Sequence, residues 1–193
     1  MSQQDRERWD VRYAPRQLVM GEDPKALVLE LDPALPRSGR ALEIASGEGQ
    51  LVLWLARRGL RVTAVDISAV ALGKLSARAA AEGLDGHVEL IERDLDRGLP
   101  PLEPGFDLAS CMDFYSLAVL AEARELLAPG GLLLVEVLLQ PPGGESPYRA
   151  APGEALGFAE GLHVHFYREG MLKGRAVAQL LAQRPPASTL PIG

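Results

Sequence analysis

The chain reads as an α/β protein: a seven-stranded, mostly parallel sheet with helices on both faces and a C-terminal antiparallel hairpin. Three observations predict this. Between residues 40 and 139, strand-like and helix-like segments alternate, the pattern of a parallel sheet wrapped by helices. The strand-like segments are short and rich in Val, Leu and Ile, as expected when both faces of a sheet are covered. Beyond a Pro- and Gly-rich loop, two further strand candidates lie close enough in sequence to pair as a hairpin.

Taken in order, residues 1–37 form an N-terminal section with helices expected near 4–12 and 24–31. The first strand is expected at 40–45 and is followed by a helix over 51–58. The second strand, 61–66, leads to Ser68, which can cap a helix over 69–82 that Gly83 ends. Strands at 88–93 and 106–112 follow, then a helix over 117–127 that stops at Pro129-Gly130-Gly131 and a fifth strand at 132–139. Residues 38–139 make the core of the sheet. Residues 140–193 hold a loop over 141–155 and the hairpin strands 163–167 and 175–183. A single domain covers 1–193, with no internal repeat and no low-complexity tract.

Composition bounds the function. The chain has 193 residues, of which 47% are hydrophobic and 24% charged, which suits one globular domain with its own core. A net charge of −6 argues against general affinity for nucleic acid or anionic membrane. Cys111 is the only cysteine, which excludes an internal disulfide framework and a multi-cysteine zinc site. Residues 1–12 are polar, with no apolar export segment, and no apolar run reaches the ~18 residues of a membrane span. A soluble, cytoplasmic protein is expected.

The most specific motif is Leu42-Glu43-Ile44-Ala45-Ser46-Gly47-Glu48-Gly49. An apolar strand ends at an acid, small residues follow, and a helix begins, so a nucleotide-like cofactor can approach bare backbone. A dinucleotide fingerprint does not fit, because Gln50 and Val52 stand where its third glycine would fall. The pattern acid-x-small-x-Gly-x-Gly resembles motif I of class I S-adenosylmethionine methyltransferases, which have a Rossmann-like fold. Ala45 stands where that family usually has its first glycine, and a methyl group there is tolerable if the backbone keeps φ negative.

The resemblance implies a cofactor site residue by residue. The turn itself is Ala45, Ser46, Gly47 and Gly49. Asp66, closing the second strand 17 residues after Gly49, would accept from the two ribose hydroxyls; the competing reading is a helix cap. Glu43 would face the ammonium of the methionine end, since an acid within Leu42-Glu43-Ile44 needs a polar crevice. Asp94 would accept from the adenine amine while the backbone of Leu95 meets the ring, although Glu92 and Asp96 compete for that role. Ile67 would lie on the adenine face, and backbone groups near Met112 would hold the cofactor's amino group. Asp113, Phe114 and Tyr115 follow strand four at the edge where donor and acceptor meet. Nothing near Cys111 in sequence would lower its pKa, so it reads as a buried strand residue.

The chain as a whole looks like the tellurite-resistance and thiopurine-type branch of small-molecule methyltransferases. The cues are Trp9-Asp10-Val11-Arg12-Tyr13, the run Arg61-Val62-Thr63-Ala64-Val65-Asp66-Ile67-Ser68, and Glu169-Gly170 followed by Gly174-Arg175-Ala176. In that branch the N-terminal section often folds over the cofactor, which makes Trp9, Tyr13 and Met20 lid candidates; the alternative is that they anchor a helix to the core. The reading is methyl transfer from S-adenosylmethionine, yielding S-adenosylhomocysteine, to a small soft or anionic acceptor such as a thiol or metalloid anion. Methyl transfer from a sulfonium needs orientation more than a protein nucleophile, so no catalytic residue is assigned. Rival readings are a catalytically silent cofactor-binding protein acting through a partner and a nicotinamide-dependent oxidoreductase. His163 and His165 share a strand face by alternation, but no third ligand has recognisable spacing and no metal is expected.

Overall fold

The structure, a computed structural model, describes residues 3–141, 143–144 and 146–187. The two ends of the expected 1–193 domain, and positions 142 and 145 of the expected loop, lie outside the described residues. Helices α1 (Gln3–Tyr13) and α2 (Ala26–Glu30) precede the sheet. Five parallel strands follow: β1 (Gly39–Ile44), β2 (Leu60–Asp66), β3 (Val88–Glu92), β4 (Phe106–Met112) and β5 (Leu127–Leu138). Between them run α3 (Gln50–Arg57), α4 (Ala69–Ala81) and α5 (Leu117–Glu125). Strand β6 (His163–Leu172) and strand β7 (Arg175–Gln183) complete the sheet in the order β3-β2-β1-β4-β5-β7-β6. Strand β7 is antiparallel to both of its neighbours.

Side-chain alternation builds the layers. Leu132, Leu134 and Leu181 pack with Leu27, Val28, Leu53, Leu55 and Leu75 from α2, α3 and α4. Leu133, Val135 and Val137 pack on the opposite face with Val119, Leu120 and Phe158. Helices therefore cover both faces, as expected. Serine caps set two helix starts: Ser68 Oγ accepts from the Ala71 N–H at 3.1 Å and Ser116 Oγ from the Val119 N–H at 3.3 Å.

The structure corrects three sequence boundaries. Helix α5 ends at Glu125, and β5 already begins at Leu127, so Leu127 to Gly131 belongs to the strand. The segment bulges instead of breaking: pairing jumps from Phe106↔Leu127 to Leu108↔Leu132, and Arg184 takes the freed backbone bonds of Gly130 and Gly131. A Cβ on Gly131 would meet the Phe106 carbonyl oxygen at 2.6 Å, so glycine is what lets the bulge close. Helix α2 spans only Ala26–Glu30, and β6 runs past Tyr167 to Leu172 because it pairs with β7 as far as the Lys173-Gly174 turn. Both turn residues have positive φ, +48° and +77°, matching a tight two-residue hairpin of the I′ kind.

Candidate functional site

The strand order steps from β3 at one edge across β1 to β4, so the chain reverses direction of build at the β1/β4 crevice, the place where open α/β sheets bind ligands. A cleft of ≈ 770 Å³ opens at that point. From the cofactor residues expected on sequence grounds, it gathers Glu43, Ala45, Ser46, Gly47, Asp66, Ile67, Leu95 and Met112, and from the pocket candidates Tyr13, Asp113, Phe114 and Tyr115. Two expected residues lie outside it. Gly49 sits beneath the turn, where a Cβ would meet Leu75 Cδ1 at 2.2 Å. Asp94 lines an adjoining cavity of ≈ 450 Å³ that shares Ile67 with the main cleft. Its Oδ1 accepts from the Asp96 N–H at 3.1 Å, capping a short 3-10 turn.

The turn after β1 is held in left-handed backbone. Ala45, Gly47 and Gly49 have φ of +56°, +52° and +81°. The condition under which a methyl at Ala45 is easily tolerated, a negative φ, is therefore not met: its methyl sits in a conformation L-residues disfavour by about 1–2 kcal/mol. The geometry resembles that of an all-glycine turn, and the surrounding packing supplies the cost. The Gly47 and Ser68 N–H groups, at 2.7 and 2.9 Å, donate to the two oxygens of Asp66. Burial pushes this carboxyl above its usual range, against the opposing effect of those backbone bonds. Asp66 therefore braces the glycine turn against α4's start, and a carboxylate retains lone pairs for further donors.

Glu43, 3% exposed at the end of β1, is raised to about 8 by burial, opposed by its bond from Ser110 Oγ and by the Lys25 charge. On β4, Cys111 is buried, its thiol donates to the Phe114 carbonyl at 3.3 Å, and burial raises its pKa, so it is a core residue and not a nucleophile. The next residue but one, Asp113, has φ of +63° and holds the Lys25 ammonium at 2.6 Å.

Sequence reading missed several residues that shape the cleft. Lys25 also contacts Glu136 Oε1 at 2.6 Å. Glu136 is fully buried and takes a second bond, 2.6 Å, from Gln179 Nε2. Gln179 in turn accepts from Arg168, which pairs with Glu30 of α2, the helix Lys25 leads into. An acid in the middle of an apolar strand was the one available signal for Glu136. Its partners lie too far away in sequence to be guessed. Glu48, fully buried, accepts from the Val19 and Met20 N–H groups at 2.7 and 3.2 Å and pairs with Lys74 at 2.7 Å. It ties the N-terminal section to the glycine turn.

The lid candidates Trp9, Tyr13 and Met20 all line the cleft. Trp9 stacks on Tyr13 with ring centroids 5.7 Å apart, and any Cβ on Gly47 would come within 2.9 Å of the Tyr13 hydroxyl. Asp10 accepts from Ser68 Oγ at 2.5 Å, so the section both anchors to α4 and roofs the turn. On the opposite rim lie Tyr148, Arg149, Lys173 and Arg175. A register shift at His165 interrupts the alternation that was to place it beside His163, and its Nε2 lies 2.9 Å from Gln183 Oε1. Among the described residues no group of three or more His, Cys, Asp or Glu is placed to hold a metal ion, and no helix is long and apolar enough to cross a membrane.

The cleft fits the expected cofactor on features of its own. Ser46 is 7% exposed and lines the cleft, yet its hydroxyl has no hydrogen-bond partner, an orphan donor that a ligand can satisfy. The flanking carboxylates suit hydroxyl and ammonium donors, and Ile67 and Leu95 give an apolar wall.

Comparison with known proteins bears on this geometry. Residues 41–131 match the model of a family described as a methyltransferase domain. A ubiquinone biosynthesis O-methyltransferase of Xanthomonas campestris pv. campestris is 32% identical over 117 residues, covering 56% of this chain and 46% of that protein. The chain thus spans about half the length of the curated relatives it matches. Among solved structures, TehB from Haemophilus influenzae aligns over 93% of this chain and 66% of its own, with TM-score 0.70 and 16% identity. The geranyl diphosphate C-methyltransferase of Streptomyces coelicolor A3(2), solved with Mg2+, geranyl diphosphate and S-adenosylhomocysteine, aligns over 82% and 80%, with TM-score 0.69 and 16% identity. The structural likenesses establish a shared Rossmann-like fold. The family match supports the enzyme class and cofactor expected from the sequence, a methyltransferase that uses S-adenosylmethionine.

Proposed function

We propose that this chain is an S-adenosylmethionine-dependent methyltransferase acting on a small anionic acceptor. The observation that carries the reading is the convergence, on one switch-point cleft, of the left-handed turn Ala45–Gly49 with the buried carboxylates Glu43 and Asp66 and the orphan Ser46 hydroxyl. In this reading Asp66 accepts from the ribose, Glu43 and the Met112 backbone receive the amino-acid end, and Ile67, Leu95 and Asp94 bound the adenine.

When bound, the cofactor supplies an electrophilic methyl group on a sulfonium. The protein's part is to orient and to exclude water. Trp9, Tyr13 and Met20 form one wall and Phe114 and Tyr115 another. The anionic acceptor is favoured by Arg149, Lys173 and Arg175 on the acceptor-side rim of a chain whose net charge is −6. Lys173 holds its place in left-handed backbone (φ +48°), where Asn or Gly would fit more easily. The assignment to the tellurite-resistance and thiopurine-type branch rests on the sequence cues, and thiols and metalloid oxyanions are the acceptors to screen.

Isothermal titration with S-adenosylhomocysteine, with NADH as control, tests the reading. Micromolar binding of the first alone is expected. Binding of NADH in preference would replace it with the oxidoreductase alternative. Cofactor binding without transfer to any acceptor would favour a silent binding protein.

A further inference from the structure

The rim opposite the N-terminal section carries three cations that the backbone brings together. The end of β5 is hydrogen-bonded on two sides: the Ala150 N–H donates to the Leu138 carbonyl and the Leu139 N–H to the Ala176 carbonyl, both at 2.9 Å. Arg149 and Arg175 are the chain neighbours of those two partners, and Lys173 stands in the turn just before Arg175. All three line the cleft. Arg149 is half-buried, and its guanidinium is steered by one bond, from Nη1 to the Leu139 carbonyl at 3.1 Å. Gln140 Nε2 fixes the loop that carries it, donating to the carbonyls of Ser146 and Arg149 at 2.7 and 2.8 Å.

The acids nearest these cations are engaged elsewhere. Glu154 accepts from the Ala151 N–H at 2.7 Å and from the Tyr115 hydroxyl. Glu169 accepts from the Gly153 N–H at 2.7 Å and from the Tyr167 hydroxyl at 2.5 Å. On the cleft floor Asp113 and Glu136 share Lys25, while Glu22 and Asp23 on the far rim act on Arg57. Among the described residues, Arg149, Lys173 and Arg175 form no ion pair. Past the ends of β4, β5 and β6, the side chains of Phe114, Tyr115, Leu138 and Leu172 give the cleft an apolar wall. The Tyr115 ring is backed by Phe158, with ring centroids 6.2 Å apart.

An acceptor that is anionic at its reacting atom loses that charge when it takes the methyl group. A cation held against that atom would bind the ground state better than the transition state and slow the step. Three unpaired cations therefore suit a second anionic group, away from the reacting atom, whose binding persists through the reaction. On the methyl-transfer reading above, we infer that the acceptor is an amphipathic organic anion. Its apolar or aromatic body lies against Phe114, Tyr115, Leu138 and Leu172, and its carboxylate or phosphate is held by Arg149, with Lys173 and Arg175 adding attraction. Arg149 sets this specificity, because a half-buried guanidinium presents a fork to two oxygens. Exposed cations such as Lys173 and Arg175 are screened by salt and contribute less. The acceptors narrow to organic molecules, and bare metalloid oxyanions, which lack a body, are set aside.

The test is titration calorimetry of the full chain saturated with S-adenosylhomocysteine, using four probes: 4-phenylbutyrate, phenyl phosphate, 4-phenylbutyramide and inorganic phosphate. At least one of the two aromatic anions is expected to bind roughly tenfold or more tightly than both the neutral amide and inorganic phosphate. Which of the two leads tells carboxylate from phosphate. In Arg149→Gln the preference over the amide should fall to about threefold or less, with the melting temperature and the affinity for S-adenosylhomocysteine unchanged. Should that variant fail to fold, Lys173→Asn combined with Arg175→Gln changes only exposed side chains, and Asn tolerates the left-handed backbone. There the preference should fall by about threefold. Equal binding of the aromatic anions and the amide would overturn the inference, as would inorganic phosphate binding as tightly as the aromatic anions. A preference unchanged in both variants would do the same. Failure of S-adenosylhomocysteine itself to bind, visible in the first titration before any probe is added, would instead sink the cofactor reading on which this rests.

Discussion

At the scale of single residues, Asp66 has a structural duty beside the ligand-binding one proposed for it. Asp66 was expected to hold ribose, with a helix cap as the competing reading. Its two bonds from Gly47 and Ser68 make it a brace as well. Asp66→Ala should therefore cost about 1–3 kcal/mol of stability in addition to a roughly 10- to 100-fold loss of affinity for S-adenosylhomocysteine. Calorimetry and a urea titration together separate the two effects, and unchanged affinity would refute the ribose role. Ala45 offers the opposite experiment. Relief of left-handed strain worth about 1–2 kcal/mol outweighs the roughly 0.4–1 kcal/mol of extra unfolded-state entropy that glycine brings. Ala45→Gly should accordingly raise the melting temperature slightly while leaving cofactor affinity intact; a lower melting temperature would show that the alanine methyl is packed usefully. The positions of Glu43 and Asp66 were legible because acids at strand ends stand out in apolar runs. The sign of φ at Ala45 was not, because a methyl group carries no sequence signature of its own backbone.

At the scale of elements, the N-terminal section behaves as a strap knotted at one buried acid. Glu48 receives the Val19 and Met20 amides and Lys74, while Lys74 also donates to the Pro15 carbonyl at 2.5 Å. Glu48→Ala should destabilise the protein by about 3 kcal/mol, the low end for breaking a buried pair, since Lys74 keeps some access to water. The protection of the Val19 and Met20 amides against hydrogen exchange should fall further than that of the β4 and β5 amides. Equal loss across the sheet would mean that the strap does not open as a unit. Local signals placed one helix well, with a serine cap at Ser68 and glycine after α4; the matching cap at Ser116 was read only from the structure. They failed at Pro129-Gly130-Gly131, where a breaker-rich segment became a strand bulge because Arg184 of the neighbouring chain segment completes its hydrogen bonds. Tertiary pairing overrode a local turn signal there.

For the whole molecule, the buried Glu43 makes stability depend on pH. Its carboxyl is raised to about 8 by burial, against about 4.3 in an unfolded chain. Between these values the native state holds a proton that the unfolded state has lost, so stability falls as pH rises through that window. Glu43→Gln removes the dependence. The urea midpoint of the wild-type protein should drop between pH 5 and pH 8.5 relative to the variant, by an amount of the order of 3–5 kcal/mol once converted through the slope. A parallel pH response in the two proteins would show that Glu43 is ionised at neutral pH, in contact with Lys25.

The sequence by itself determined the layered α/β fold, the glycine turn after the first strand and the acids that flank it, because these depend on short-range patterns: hydrophobic runs, caps, and small residues where backbone must approach a ligand. The tertiary structure alone decided which distant groups complete the cleft. Lys25 meets Asp113 and Glu136 across 88 and 111 positions of chain, and Glu48 meets the strap 28 and 29 residues before it. Such pairs leave no periodicity and no spacing to read. They arise because a parallel sheet brings the ends of β1, β4 and β5 to one edge, where buried charges from separate segments must find each other or remain unpaired.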